Sequence, residues 1–226
     1  TIIFFISVII SVPTSFVTCS PFQLSSDTST PVINVGLEGA VTEADWERAT
    51  RNDLDNPVID HPTLGGGTKV FGKNMVTIKD RPIFAFKGLK YGVGPVGENI
   101  HLRFKPSVDP GRYWEGDTLD ATLMGDKCSQ KDFLNVPSGS DDCLFLNVFT
   151  PELPGEGELL PVMFFIHGGS FVHGDTSLYL PTKLLDEDVI LATIQYRLGT
   201  QGFFSLLNDD APGNSALFDQ QLALHW

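Results

Sequence analysis

With 226 residues, 42% of them hydrophobic and 19% charged, the chain carries enough apolar residues to bury a sizeable core and too many to remain disordered. Its formal net charge of −13 argues against a nucleic-acid partner, because binding phosphates calls for a basic surface. The same acidity suits an extracellular protein and mildly favours cationic substrates through long-range attraction.

Residues 1–20, TIIFFISVIISVPTSFVTCS, hold an apolar run to Val12 that Pro13 breaks before small residues lead to Cys19-Ser20. This pattern reads as a secretory signal peptide lacking its basic start. The run is shorter than the roughly 20 apolar residues that cross a bilayer, and a longer membrane anchor is the alternative. With no initiator Met and a helical pattern still running at His225-Trp226, the chain reads as a piece of a longer protein.

Residues 21–64 read as a polar linker or extension. SSDTSTP (Ser25–Pro31) is rich in turn formers, and Thr42 with Asp45 three positions on resembles a capping box for a short helix through Arg51. Asn52–Pro62 returns to loop, and Gly65–Gly67 lacks the spacing of a phosphate-binding loop.

The folded part is expected from Gly65 onward. Thr68–Phe71, Met75–Lys79 and Pro82–Lys87 alternate in part and predict a small antiparallel meander. Glycines and prolines then dominate Gly88–Pro110. Cys128 and Cys143 form an even pair in a chain expected to be exported, which favours a disulfide over two buried thiols. From Cys143 to Thr150 apolar residues fill both faces, as in a central strand.

Next, Pro161–Ile166 predicts a strand running directly into His167-Gly168-Gly169-Ser170-Phe171. A glycine pair there lets the backbone turn sharply and aim its N–H groups at a ligand, although a plain turn has the same composition. Leu178–Leu185 has helical spacing, Asp188–Tyr196 is a β-branched run, and Gly213–Ser215 introduces a helix from Ala216 onward. Strands alternating with helical stretches predict an α/β fold with a largely parallel sheet. No cluster of ligating residues has metal-site spacing, and no cofactor is expected.

Several of these stretches together resemble the N-terminal part of the type-B carboxylesterase and cholinesterase family. They are AFKGLKYG, PVG and LRFKP within Ala85–Pro106, SDDCLFLNVFTP (Ser140–Pro151), FFIHGGSFVHG (Phe164–Gly174), IQYRLGTQGF (Ile194–Phe203) and DAPGNSALFDQQLALHW (Asp210–Trp226). The resemblance implies an α/β-hydrolase fold in which a small antiparallel N-terminal meander leads into a mostly parallel central sheet. Residues 65–226 would then be a partial catalytic domain that stops before the nucleophile elbow.

Carried over residue by residue, Gly169 and Ser170 match positions whose backbone N–H groups stabilise an oxyanion, with Gly168 and His167 orienting that loop. Ser170 stands where many members have a third glycine. Cys128 and Cys143 match the family's first disulfide. Arg103 with Asp141, and Arg197 with Asp219, match structural ion pairs. The implied activity is that of a secreted serine esterase acting through an acyl-enzyme on a small-molecule ester. The chain contains no G-x-S-x-G elbow, so nucleophile, acid and base are expected beyond Trp226 and these residues alone are expected to be inactive.

The Cys128–Cys143 segment, SQKDFLNVPSGSDD, has no Trp to face a choline, which disfavours a cholinesterase. Phe133 within it would line a pocket or simply pack. A non-catalytic, neuroligin- or neurotactin-like adhesion protein is the alternative reading on the same fold. In such a fold the nucleophile's strand lies beside Pro161–Ile166, so that strand is expected to present an open edge. Nothing in the residues reports an oligomeric state.

Overall fold

The computed structural model describes residues 3–7, 57–61, 68–132, 135–153 and 159–226. The expected helix through Arg51, Gly65–Gly67, Phe133 and Cys19 lie outside these residues. In chain order the first strands are β1 (Ile3–Ser7), β2 (Val58–His61), β3 (Thr68–Phe71), β4 (Lys73–Val76) and β5 (Pro82–Lys90). The short β6 (Thr118–Asp120), β7 (Gln130–Lys131) and β8 (Pro137–Ser138) follow. Then come β9 (Phe145–Thr150), β10 (Val162–Ile166), β11 (Ile190–Ile194), β12 (Ser205–Asn208) and β13 (Ala211–Pro212). The α-helices are α1 (Gly199–Phe203) and α2 (Ser215–His225).

A six-stranded sheet in the order β1-β10-β11-β9-β5-β4 forms the centre. β1, β10 and β11 run parallel, whereas β11–β9, β9–β5 and β5–β4 are antiparallel. The sheet is therefore mixed rather than mostly parallel. The reason for the β4–β5 pair is the brevity of its link: Thr77 N–H donates to Arg81 O across a tight turn, and a short turn permits only antiparallel neighbours.

The expected meander is also divided. β4 and β5 belong to the central sheet, while β3 pairs antiparallel with β2 and parallel with β6 in a separate sheet. Gly72 makes the change of sheet possible, since a Cβ there would lie 2.7 Å from both Ala85 O and the Phe86 ring. Val58–His61, read from the sequence as loop, is thus a strand. The helix expected over Leu178–Leu185 is replaced by 3-10 turns at Thr176–Leu178 and Leu184–Asp186. Pro181 lies between them, and a proline cannot donate the backbone bond that a continuous helix needs there.

The edge of β10 expected to be open is covered. β1 lies parallel to it, from Ile3 opposite Val162 to Ser7 opposite Ile166. An extended, β-favouring run satisfies the row of backbone donors and acceptors that an edge strand leaves unpaired.

The sheet is buried on both faces. Along β10 and β11, Met163 and Leu191 join Met75, Ile83, Phe149 and Leu185 on one face. Phe164, Ala192 and Ile194 join Phe86, Leu146 and Tyr196 on the other. Each buried Leu- or Phe-sized side chain contributes about 1.5–3 kcal/mol. Within this core the Asn147 amide accepts from Gly88 N–H (3.0 Å) and donates to Thr176 Oγ1 (3.2 Å) and Thr193 Oγ1 (3.1 Å). It thereby ties the irregularity of β5 to the crossover between β10 and β11. No helix among the described residues is long and apolar enough to cross a membrane.

Arg197, just beyond β11, meets Asp219 of α2 through two parallel bonds of 2.7 Å, and both side chains are essentially inaccessible to water. Burial pushes the Asp219 carboxyl up, and the guanidinium opposes that rise. Removing one member strands the other charge in the core. Asp219→Ala is expected to cost about 3–5 kcal/mol in urea unfolding of the full-length protein. The paired apolar replacement Arg197→Met with Asp219→Leu is expected to cost less than either single change.

Candidate active site

Parallel pairing of β10 with β11 places their carboxyl ends side by side, Ile166 opposite Ile194. In open α/β sheets the crevice beyond such strand ends is where ligands bind. The segment leaving β10 is the His167–Gly174 loop. Gly169 (φ 118°), Ser170 (φ 54°) and Phe171 (φ 60°) all have positive φ. A Cβ at Gly169 would fall 1.7 Å from His173 O, so only glycine fits there. Ser170 occupies the left-handed region that its missing-glycine position requires. Gly169 O accepts from Val172 N–H (3.0 Å) and His173 N–H (3.2 Å), which folds the loop back on itself. Among the described residues, no acceptor takes the Gly169 or Ser170 N–H, and Ser170 is exposed.

His167 lies beneath this loop and is buried. Its Nδ1 sits 2.9 Å from Gly168 O, a geometry in which Nδ1 carries the proton and donates. Burial, and to a lesser extent His173, lowers the imidazole's pKa against opposing contributions from Gly168, Asp175 and Gln195. Tyr196 stacks on it at 4.5 Å and donates its hydroxyl to His167 O at 2.7 Å. The Tyr196 phenol is pushed up to about 12 by burial, then by Tyr179, so it remains a donor. Gly199 N–H, at the start of α1, donates to Phe171 O at 2.6 Å. His173 belongs to the loop itself, and His225 is exposed in the last turn of α2.

Cys128 and Cys143 are joined, with Cα atoms 4.9 Å apart. The chain-entropy account assigns such a loop about 3 kcal/mol. Next to Cys143, Asp141 accepts from Arg103 Nη2 (3.0 Å), Ser129 Oγ (2.6 Å) and Gln201 Nε2 (2.6 Å). The Arg103 side chain is 44% exposed, so the ion pair itself is worth under about 1 kcal/mol. The wider cluster matters more, because it joins the disulfide segment to α1, which in turn holds Phe171.

Sequence reasoning named the pairs Arg103–Asp141 and Arg197–Asp219 but not Tyr196, Ser129, Gln201 or Gln130 as members of this region. Tyr196 and Gln201 lie inside the quoted IQYRLGTQGF stretch, yet nothing in their spacing announces a partner. Among the described residues, no group of three His, Cys, Asp or Glu side chains is gathered that could hold a metal ion.

A strand-end loop whose Gly169 and Ser170 N–H groups lack acceptors among the described residues, set on this mixed sheet, is an arrangement that can receive an anionic oxygen. Comparison with known proteins agrees: a family model described as "Carboxylesterase family" matches residues 55–226, and the chain belongs to that family. It is 43% identical to juvenile hormone esterase of Tribolium castaneum over 160 residues, covering 69% of this chain and 26% of that protein. It is 40% identical to a carboxylic ester hydrolase of Bombus ignitus over 148 residues, 63% of this chain and 26% of the relative. A crystal structure of juvenile hormone esterase from Manduca sexta, with OTFP covalently attached, superposes with TM-score 0.64 at 33% identity. That match covers 76% of this chain and 32% of the other. The chain thus spans a quarter to a third of the length of these relatives. Their names do not favour the adhesion alternative.

Burial raises the Asp141 carboxyl, but the hydrogen bonds from Ser129 and Gln201 and the Arg103 charge outweigh this and hold it below its ordinary value of 3.8. A depressed carboxylate stabilises the fold fully above that ordinary value and loses its effect as pH falls through the lower folded value. The melting temperature of wild type minus that of Asp141→Asn is therefore expected to be constant near neutrality and to shrink below pH 3.8. A constant difference down to acid pH would assign the cluster no charge-linked stability.

Proposed function

We propose that the protein is a secreted carboxylic-ester hydrolase acting through a serine acyl-enzyme, and that Gly169 and Ser170 supply two of its oxyanion-hole donors. The observation that carries this reading is the pair of consecutive backbone N–H groups without acceptors, held at positive φ at the carboxyl end of β10. Donors aimed before the reaction begins stabilise charge as it develops on a carbonyl oxygen, without reorganising at that moment.

In the proposed reaction a serine Oγ from sequence beyond these residues adds to the ester carbonyl while its proton passes to a base. The carbonyl electron pair moves onto oxygen and meets the Gly169 and Ser170 N–H groups. Collapse of that intermediate expels the alcohol and leaves an acyl-serine, which water hydrolyses in the same way. His167 takes no part in proton transfer in this scheme: buried and donating to Gly168 O, it orients the loop. Residues 1–20 act as a leader whose removal would free the β10 edge that β1 covers in this structure, residues 21–64 as a linker, and residues 65–226 as the first part of the catalytic domain. The substrate class is a small-molecule carboxylic ester, in keeping with the esterase names of the relatives.

The full-length protein is expected to hydrolyse a p-nitrophenyl ester and to be labelled stoichiometrically by a serine-directed organophosphate. Correctly folded protein that takes up no label would reject the esterase reading. Gly169→Ala, whose methyl collides with His173 O, is expected to lower kcat by about 10²–10³-fold, the usual loss for an oxyanion donor.

A further inference from the structure

We infer that Gln130 is a positioning residue for the His167–Gly174 loop, transmitting the rigidity of the disulfide-closed segment to the oxyanion donors; this rests on reading that loop as an oxyanion site. The Gln130 side chain meets both backbone groups of Gly174. Its Oε1 accepts from Gly174 N–H at 2.8 Å, and its Nε2 donates to Gly174 O at 2.9 Å. A primary amide here does what one residue of a neighbouring strand would do, saturating a donor and an acceptor at the same point. The same Nε2 also donates to Cys128 O at 3.0 Å, which fixes the amide's orientation.

Both ends of this contact are braced. The Gln130 backbone lies in the β7–β8 ladder, opposite Ser138, two residues from the cysteine joined to Cys143. Gly174 packs against the start of the loop. A Cβ on it would come within 2.3 Å of Gly168 O and 2.7 Å of His167 Nδ1, so its position and that of the His167-Gly168 peptide are interdependent. Holding Gly174 therefore closes the base of the loop whose apex carries the Gly169 and Ser170 N–H groups. Tyr196 holds His167 O and Gly199 holds Phe171 O, but neither bonds Gly174. Gln130 closes the return limb.

Geometry of this kind acts on charge development rather than on substrate capture, and that distinguishes it from general support of the fold. In the full-length enzyme, Gln130→Leu removes both bonds to Gly174 and the one to Cys128 O with little change of volume. Gln130→Glu keeps the acceptor but sets carboxylate oxygen against Gly174 O and Cys128 O. Both are expected to lower kcat by 10–100-fold with KM within about threefold of wild type. Affinity for a trifluoromethyl ketone, whose adduct places an oxyanion in the hole, is expected to fall in parallel with kcat/KM.

For Gln130→Glu, protonation restores an O–H donor beside a carbonyl acceptor. Its kcat relative to wild type at the same pH is therefore expected to recover as pH falls toward the carboxylate range. By hydrogen exchange, backbone amides of 168–174 are expected to exchange faster in both variants, with β10 and β11 unchanged. That measurement also tests the clamp if wild-type protein hydrolyses no ester, an outcome that would sink the esterase reading alone. Wild-type kcat with unchanged exchange in folded Gln130→Glu would overturn the inference. So would a loss confined to KM, or a kcat ratio flat with pH.

Discussion

In-register parallel pairing of β10 with β11 is the constraint on which the candidate site depends, because it delivers His167 and Gln195-Tyr196 to the same end of the sheet. The backbone leaving both strands turns at that end, and in open α/β sheets ligands bind beyond the carboxyl ends of the strands. The crossover 167–189 that joins the two strands is also the segment that bears the His167–Gly174 loop. Strand pairing and site formation are thus one event, and burial of both sheet faces makes the register hard to shift.

Around that frame the polar interactions divide by solvent access. Arg197 and Asp219 sit in the core with matched two-point geometry, so their main energetic meaning is the penalty of separating them. Arg103 and Asp141 face water on one side, and the guanidinium adds little by charge alone. What gives Asp141 its importance is convergence: Ser129, Gln201 and Arg103 come from three different segments and share one carboxylate. Neutral hydrogen bonds and partial burial do more there than the ion pair that first draws attention.

The loop itself is held at three points by groups that form no part of its own turn. Tyr196 fixes its entry, Gly199 its apex and Gln130 its return. Backbone at positive φ in several successive residues is not a conformation that L-residues keep unaided, and Ser170 and Phe171 both adopt it. Three external hydrogen bonds on carbonyls and one on an N–H over-determine the turn, while the Gly169 and Ser170 N–H groups keep no acceptor among the described residues. An oxyanion loop has the same requirement: rigid backbone with donors left over.

Local chemistry was legible before any coordinates. An apolar run ending in a glycine pair, the even cysteine pair and the doubly apolar β9 are properties of a few adjacent residues, and short-range sterics and burial preferences act on that scale. The break of β3 from β4 was not legible, because Gly72 matters only once Phe86 and Ala85 lie against it. Nor was the covering of β10 by β1, since pairing a strand near the start of the chain with one more than 150 residues away leaves no mark on either. Gln130 and Gly174, separated by 44 positions, form their contact for the same reason: a side-chain amide recognises any peptide group, and only the assembled fold selects which one it meets. Residue chemistry by itself determined that the chain could turn sharply at the Gly168-Gly169 pair after an apolar strand, and the family resemblance pointed to the Gly169 and Ser170 N–H groups as donors. Tertiary packing decided whether they would be held in place, because long-range contacts rather than local propensity supply the restraint.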